Sequence, residues 1–404
     1  MTLTKNIKID LTLYLNYMII AYAFFLPISR AGISLFTFLS VLLWIIEGNF
    51  KHKIHLIVRN KVILALFAFI AMNFISLFWT NNIDDSLGYI RRYWYLFPIL
   101  VLYTSIKKEY ISTILSAFIM GMFVSEVIGY GVFFELWKFK DTLKGNISPF
   151  MHHIEYSIFL AFTSLILLSR IFSSIKLKSK IIYSFFFVTM SANLFLTEGR
   201  TGQLALIVGL FVLALISFKN KFKALIISSL LTIFLLGGAY MFSSTFQNRV
   251  ADASDSIINV IQNKNYCTSW GSRIGAYITA QNIVTQHPMI GAGITDNMQM
   301  FRMLIDTKYP YMMCIKELSH MHNQYLQILT QLGIIGLFFF LLIFYMVANI
   351  QIKEISYNNI KYIYLSVLCV GFISETLFHR AFSLALFTFL IGLLLAQHRV
   401  EHEI

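Results

Sequence analysis

Charge is what this sequence has least of. Of its 404 residues 13% are charged and 58% are hydrophobic, where a soluble chain of that length would carry roughly a quarter charged residues. That shortage excludes an ordinary soluble globular protein. No zinc-finger spacing, nucleotide-binding glycine loop or basic disordered tail is present, which excludes nucleic acid as a partner. No internal repeat or low-complexity segment stands out. A metal site rich in Asp and Glu is not evident either: Asp84 and Asp85 are adjacent, but paired carboxylates on an exposed loop are more often simply solvated.

Apolar sequence comes in membrane-length pieces. Twelve stretches recur, at 11–28, 31–48, 62–79, 89–106, 111–134, 154–171, 181–197, 200–217, 224–242, 323–349, 360–378 and 381–398. A hydrocarbon core about 30 Å thick selects such lengths. The pattern predicts an all-α polytopic membrane protein with about 12 spans. The first stretch follows Lys5 and Lys8, lacks a clear small-residue cleavage site and is followed directly by another span, so it reads as an anchor rather than a signal peptide. Three regions follow: spans one to nine in 1–242, a polar outer loop in 243–318, and spans ten to twelve in 319–404.

The positive-inside rule orients the chain with both termini cytoplasmic. The inner loops then hold Lys51, Lys53, Arg59 and Lys61, Lys107 and Lys108, Lys176, Lys178 and Lys180, and Lys219, Lys221 and Lys223. Of 21 lysines 15 fall inside, whereas 8 of 11 arginines fall outside: Arg30, Arg91, Arg92, Arg200, Arg249, Arg273, Arg302 and Arg380. Diffuse lysine charge is enough to set topology. Arginine offers a rigid fork that binds phosphate through two donors. The split points to an anionic substrate handled on the outer side, the plainer alternative being arginines that only grip lipid headgroups.

In the outer loop, "SRIGAYITAQNIVTQHPMIGAGITDN" (272–297) begins as a helix, with Ile274, Tyr277, Ala280 and Val284 as its apolar stripe. Ser272 as cap would put Arg273 in the first turn, where the helix dipole and the guanidinium both attract an anion. His287-Pro288 ends the helix, and Gly291 and Gly293 make a turn. Cysteine is scarce. Cys369 sits inside a span as a small core residue. Cys267 and Cys314 share the outer loop and can form a disulfide or remain two thiols, since sequence leaves their separation open.

Two further stretches carry chemistry. In "SHMHNQYLQILTQLGIIGL" (319–337), Gly333 and Gly336 follow His322 by 11 and 14 residues. That is about three and four helical turns, which places all three on one face, where glycine lets a neighbour come close. At a helix N-terminus the dipole disfavours imidazolium, so a neutral His322 is a candidate general base, against the alternative of an interfacial histidine bonded to a neighbour. His320 precedes the expected helix start, and helical geometry would turn the two rings about 200° apart. In "TEGRTG" (197–202), Gly199-Arg200-Thr201-Gly202 makes a small anion cradle at the start of a span.

The run His322-Asn323, nine residues, Gly333, two residues, Gly336 resembles the signature of bacterial O-antigen ligases. "GRTG" around Arg200 and "SRIGAY…HPMIGAG" from Arg273 to Gly293 are similar to outer-face motifs of the same superfamily, in the same order along the whole chain. The resemblance implies a C-type glycosyltransferase fold with a large periplasmic loop between spans nine and ten, in the bacterial inner membrane. It implies transfer of a polysaccharide from undecaprenyl diphosphate to the lipid A-core, with inversion and without metal or other cofactor. It also implies Arg200 and Arg273 on the diphosphate, His322 as the catalytic base, and Asn323, Gly199, Gly202, Gly333 and Gly336 in support. Cys267 and Cys314 match no motif of the family.

O-antigen polymerases and protein O-oligosaccharyltransferases of that superfamily use similar donors. No arginine here has a glycine eleven positions on, the spacing that polymerases carry in two outer loops. A glycolipid transporter would show paired, broken spans with midplane charges. Acidic residues such as Glu126, Glu155 and Glu375 do lie within or beside the spans, but no two-fold pattern is visible.

Overall fold

The computed structural model describes residues 10–140, 142, 146–173 and 176–402; Lys5 and Lys8 lie outside them. Among the described residues the regular elements are all helical, with an isolated bridge at Asn146 as the sole extended pairing. Among the described residues nine helices are long and apolar enough to cross a membrane, and Leu11–Phe25 is a shorter apolar one. All twelve apolar stretches are helical, though not each as one unbroken helix. The stretch 89–106 is broken into a 3₁₀ segment, Arg91–Leu96, and a short helix, Pro98–Ser105. The stretch 360–378 stops early: helix Ile355–Ser374 ends at Glu375, which lies in a short connection before helix Ala381–His402.

Helix Ala381–His402 is the centre of the bundle, with 89% of its apolar window buried, against 11% for the peripheral helix Lys221–Phe242. It packs on Pro98–Ser105, while Arg200–Ser217 packs on both His153–Ser173 and Ile355–Ser374. Phe378 fixes the connection that carries Glu375. Its buried ring stands 4.9 Å from Phe387, 5.3 Å from Phe340 and 5.5 Å from Phe372, at the separations where aromatic pairs attract. Cys369, expected in the core, is instead exposed on the surface of its helix.

Residues 243–318 add four elements at one end of the bundle, here the loop end: Ser244–Asn263, Ser269–Gln286, Asp296–Thr307 and the 3₁₀ segment Pro310–Ile315. They bury a separate core of Ala276, Ala280, Ile283, Phe301, Ile305 and Met312. Cys267 and Cys314 are disulfide-bonded with Cα atoms 5.6 Å apart, tying the start of the second of these elements to the last.

Helix Gln324–Ala348 is broken at Gly333, where φ is +63° and ψ is −165°. Residues 288–293 enter the break. Ile334 and Ile335 donate to the carbonyls of Pro288 (2.9 Å) and Met289 (3.2 Å), and Ala292 and Gly293 donate to those of Thr330 (2.9 Å) and Gln331 (3.0 Å). Backbone groups freed within a membrane helix must find partners in protein, and here the loop supplies them. A Cβ on Gly333 would lie 2.3 Å from the Met289 carbonyl group, and one on Gly291 would lie 2.4 Å from the backbone of Gln331. The break also removes the common face proposed for His322, Gly333 and Gly336: the glycines admit protein backbone and tight packing, not a ligand beneath the histidine.

Gly333→Ala combines an unfavourable φ with a backbone clash, and should lower the apparent melting temperature by several degrees or abolish a monodisperse peak in fluorescence-detected size exclusion. Gly238→Ala, in a helix with nothing within 4 Å of its Cβ, should melt like the parent or slightly above it. A parental melt for Gly333→Ala would mean that the break is not required.

Candidate active site at the loop end

Arg200 is the first residue of its helix. Gly199 and Gly202 press that helix onto Ser157: a Cβ on Gly202 would lie 2.2 Å from the Ser157 backbone, and the Gly202 N–H donates to Ser157 Oγ at 3.1 Å. The two glycines therefore serve close packing rather than a flexible cradle. Arg200 keeps Nη1 and Nη2 buried with no hydrogen-bond partner, apart from a 3.7 Å ion pair with Asp252. Arg249 pairs with Glu198 and, at 3.7 Å, with Asp252. Glu198 is thus occupied by Arg249.

Thr268, not Ser272, caps the helix of Arg273: its Oγ1 accepts from the Gly271 N–H at 3.0 Å. Arg273 is consequently the fifth helical residue, beyond the first turn, and its Nη1 donates to Ser269 O (2.9 Å) and Oγ (3.1 Å) while Nε has no partner. The buried stripe is Gly271, Gly275, Ala276, Thr279, Ala280 and Ile283, one step round from the expected one. The charge of Arg273 is felt at both Arg200 and His320.

His322 lies just before the helix, in a left-handed turn at φ +50°. Asn323 is the N-cap: its Oδ1 accepts from the Leu326 N–H at 3.0 Å, and its Nδ2 donates to Tyr277 Oη at 3.3 Å. Tyr277 in turn donates to the Ile373 carbonyl at 2.9 Å, which links the helix of Arg273 to the end of the helix before Glu375. The His320 and His322 rings are 4.4 Å apart, so the wide separation expected from helical geometry does not hold. The two residues precede the helix and fold back together.

What joins them is Glu375, a residue missed in the sequence as a site member. It is wholly buried, with Oε1 3.4 Å from His320 Nδ1 and Oε2 3.6 Å from both His322 Nδ1 and Arg380 Nη2. Thr376 donates to Oε1 through its N–H (2.9 Å) and its hydroxyl (3.2 Å). Burial alone would raise the Glu375 carboxyl. The hydrogen bond from His322 beside it and the charge of Arg380 outweigh burial and hold the carboxyl well below the usual range. Burial depresses His320 to about 4 and His379 to about 3, so both are neutral at pH 7. His379 Nδ1 lies 2.6 Å from Arg92 Nη1. The signal for this group was short: an acid four residues before a histidine-arginine pair at the end of an apolar stretch.

His320, His322 and Glu375 place one ligand-type atom each within 4.8 Å of one another. Arg380 shares the same carboxylate, and the His322 N–H donates to His320 Nδ1 at 3.3 Å. A cation there would face a guanidinium and compete for an engaged nitrogen, so the set fits a held base better than a metal centre. Chemically, the loop end joins arginines with unpaired donors to a carboxylate-held histidine, which suits an anionic substrate and a proton transfer.

This site sits at one end of a bundle of membrane-length helices, as in a polytopic membrane protein. Residues 185–341 match the family model described as O-antigen ligase. That stretch carries the family's domain, which supports a place for it in the O-antigen ligase and polymerase superfamily. No curated protein matches it. The matched region contains Arg200, Arg273 and His322, whereas Glu375, His379 and Arg380 lie beyond it.

The neutral histidines give stability a definite pH dependence. Unfolded, they take up protons near about 6.5; folded, they do so only near 4 and 3. The unfolded state then binds more protons as pH falls below that point, and stability drops. The apparent melting temperature should fall between pH 7 and pH 5, and a His320→Gln, His379→Gln double variant should show a flatter profile. Equal slopes in the two proteins would contradict the assignment.

Proposed function

We propose that the protein is an O-antigen ligase, moving a polysaccharide from undecaprenyl diphosphate to the lipid A-core at the periplasmic face of the bacterial inner membrane. In this reading both termini are cytoplasmic, residues 1–242 and 319–404 supply the spans, and 243–318 form the periplasmic layer. The observation that carries the reading is the arrangement at Glu375. Its carboxylate faces His322 Nδ1, which leaves the other ring nitrogen to accept a proton. His322 is also the more accessible of the pair, its side chain 21% exposed against 9% for His320.

The step follows from these positions. Arg200 and Arg273, whose free donors suit phosphate, bind the donor diphosphate and stabilise the charge that grows as it leaves. The acceptor hydroxyl attacks the anomeric carbon from the opposite side. His322 takes the hydroxyl proton, the new glycosidic bond forms as the bond to diphosphate breaks, and the anomeric centre inverts. Asn323 holds the turn of His322 through its cap and Tyr277. His320 braces the same turn by accepting the His322 N–H, which makes it a positioning residue and not the base.

Removing a general base costs roughly 10²–10⁴-fold in rate. His322→Ala should therefore nearly abolish single-turnover transfer while donor binding survives, and His320→Ala should keep far more of the rate. A dead His320→Ala beside an active His322→Ala would reverse the assignment. Lysine at Arg200 or Arg273 should rescue poorly because it lacks the fork; full transfer with alanine at both would remove the diphosphate role. In cells, loss of the lipopolysaccharide ladder with accumulated lipid-linked glycan on deletion supports the ligase, whereas single-repeat lipopolysaccharide would identify a polymerase.

A further inference from the structure

A second group of arginines stands apart from Arg200 and Arg273. A cavity of about 800 Å³ opens at the loop end and is lined by Arg30, Arg91, Arg92 and Arg302. They come from three places: the start of helix Arg30–Glu47, the 3₁₀ segment Arg91–Leu96 for two of them, and helix Asp296–Thr307. Asp84 and Asp85 share the rim. Asp85 is engaged by Asn82 at 2.6 Å, and among the described residues neither aspartate makes an ion pair with these arginines. Positive charge is left in excess.

The wall is also built for a sugar. Asn297, fully buried, donates Nδ2 to Thr330 Oγ1 at 2.9 Å and leaves Oδ1 with no partner. A buried amide oxygen of that kind seeks a donor such as a hydroxyl. Tyr89 and Trp94 add aromatic surface to the lining. A single small anion would use one or two forks. Four arginines spread over a volume within the range of small-molecule sites fit a larger ligand bearing more than one anionic group.

This cavity leads to the histidines. A second one, of about 370 Å³, shares Arg30, Arg92, Tyr95, Ser319 and His379 with the first and reaches His320 and Arg380. Neither is lined by Arg200, Arg273 or His322, but the His322 ring stands 4.4 Å from that of His320 at the end of the second cavity. We infer that the Arg30–Arg91–Arg92–Arg302 cavity docks the acceptor through phosphate or carboxylate groups on its sugars, so that a neighbouring hydroxyl reaches His322. The inference rests on the transferase reading for what the ligand does, but the binding itself stands independently of turnover.

The test therefore uses binding to the full-length protein in detergent, with a water-soluble phosphorylated oligosaccharide as probe and its enzymatically dephosphorylated form as control. The parent should bind the phosphorylated probe at least about tenfold more tightly than the control, as expected when charge-assisted bonds are made. Arg91→Gln, Arg302→Gln should erase that difference, while Arg200→Gln, Arg273→Gln should keep it. Phosphatidylglycerol micelles at equal phosphate concentration should compete weakly. Equal binding of the two probes, undiminished preference in Arg91→Gln, Arg302→Gln, or equally strong competition by phosphatidylglycerol would overturn the inference, the last result marking a phospholipid headgroup site. Failure of His322→Ala to impair transfer would strike the proposed function and leave these binding results untouched.

Discussion

Glu375 is a full negative charge with no solvent exposure, and such a group is tolerated only if positive charge and hydrogen-bond donors surround it. At the loop end these are Thr376, Arg380 and the His322 ring. The requirement works in both directions. It fixes Arg380 and brings together His320 and His322, which the local backbone alone would leave in a strained turn. Phe378 holds the connection in place from below, within an aromatic cluster drawn from three helices. The apolar core of the bundle and the polar site at its end are thus joined through five consecutive residues, 375–379.

A second constraint sets the distance between the two halves of the site. Arg273 is on one helix and His322 lies just before another, with the whole of residues 274–321 between them. The loop that follows the Arg273 helix threads the break at Gly333 in the helix that follows His322, and Tyr277 ties the same two regions to the end of helix Ile355–Ser374. Motion of the outer layer relative to the bundle would have to break these backbone bonds. The disulfide between Cys267 and Cys314 stiffens the layer from the other side.

Much of the fold was legible because membrane spans announce themselves by length and hydropathy, and Arg200, Arg273 and His322 were legible through spaced motifs. What escaped was of two kinds. Glu375 lies inside an apolar stretch and was absorbed into it, since hydropathy cannot show that a helix stops four residues early, and Arg380 was read only as one of the outer arginines. The roles of Gly199, Gly202 and Gly333 were misjudged for a different reason: glycine in a sequence says that something comes close, and only tertiary structure says that the neighbour is Ser157 or the backbone of Met289. The proximity of His320 to His322 likewise depended on the left-handed turn at His322, which helical geometry does not foresee.

The central claim is that Glu375 organises the base. It is tested most directly by single-turnover transfer in Glu375→Gln, a change that keeps the volume and one hydrogen-bonding oxygen but removes the charge, with donor affinity measured on the same sample. The account predicts a loss of at least about tenfold in the transfer rate with donor affinity unchanged, within the range seen when acid–base machinery is impaired. A parental transfer rate in that variant would contradict it.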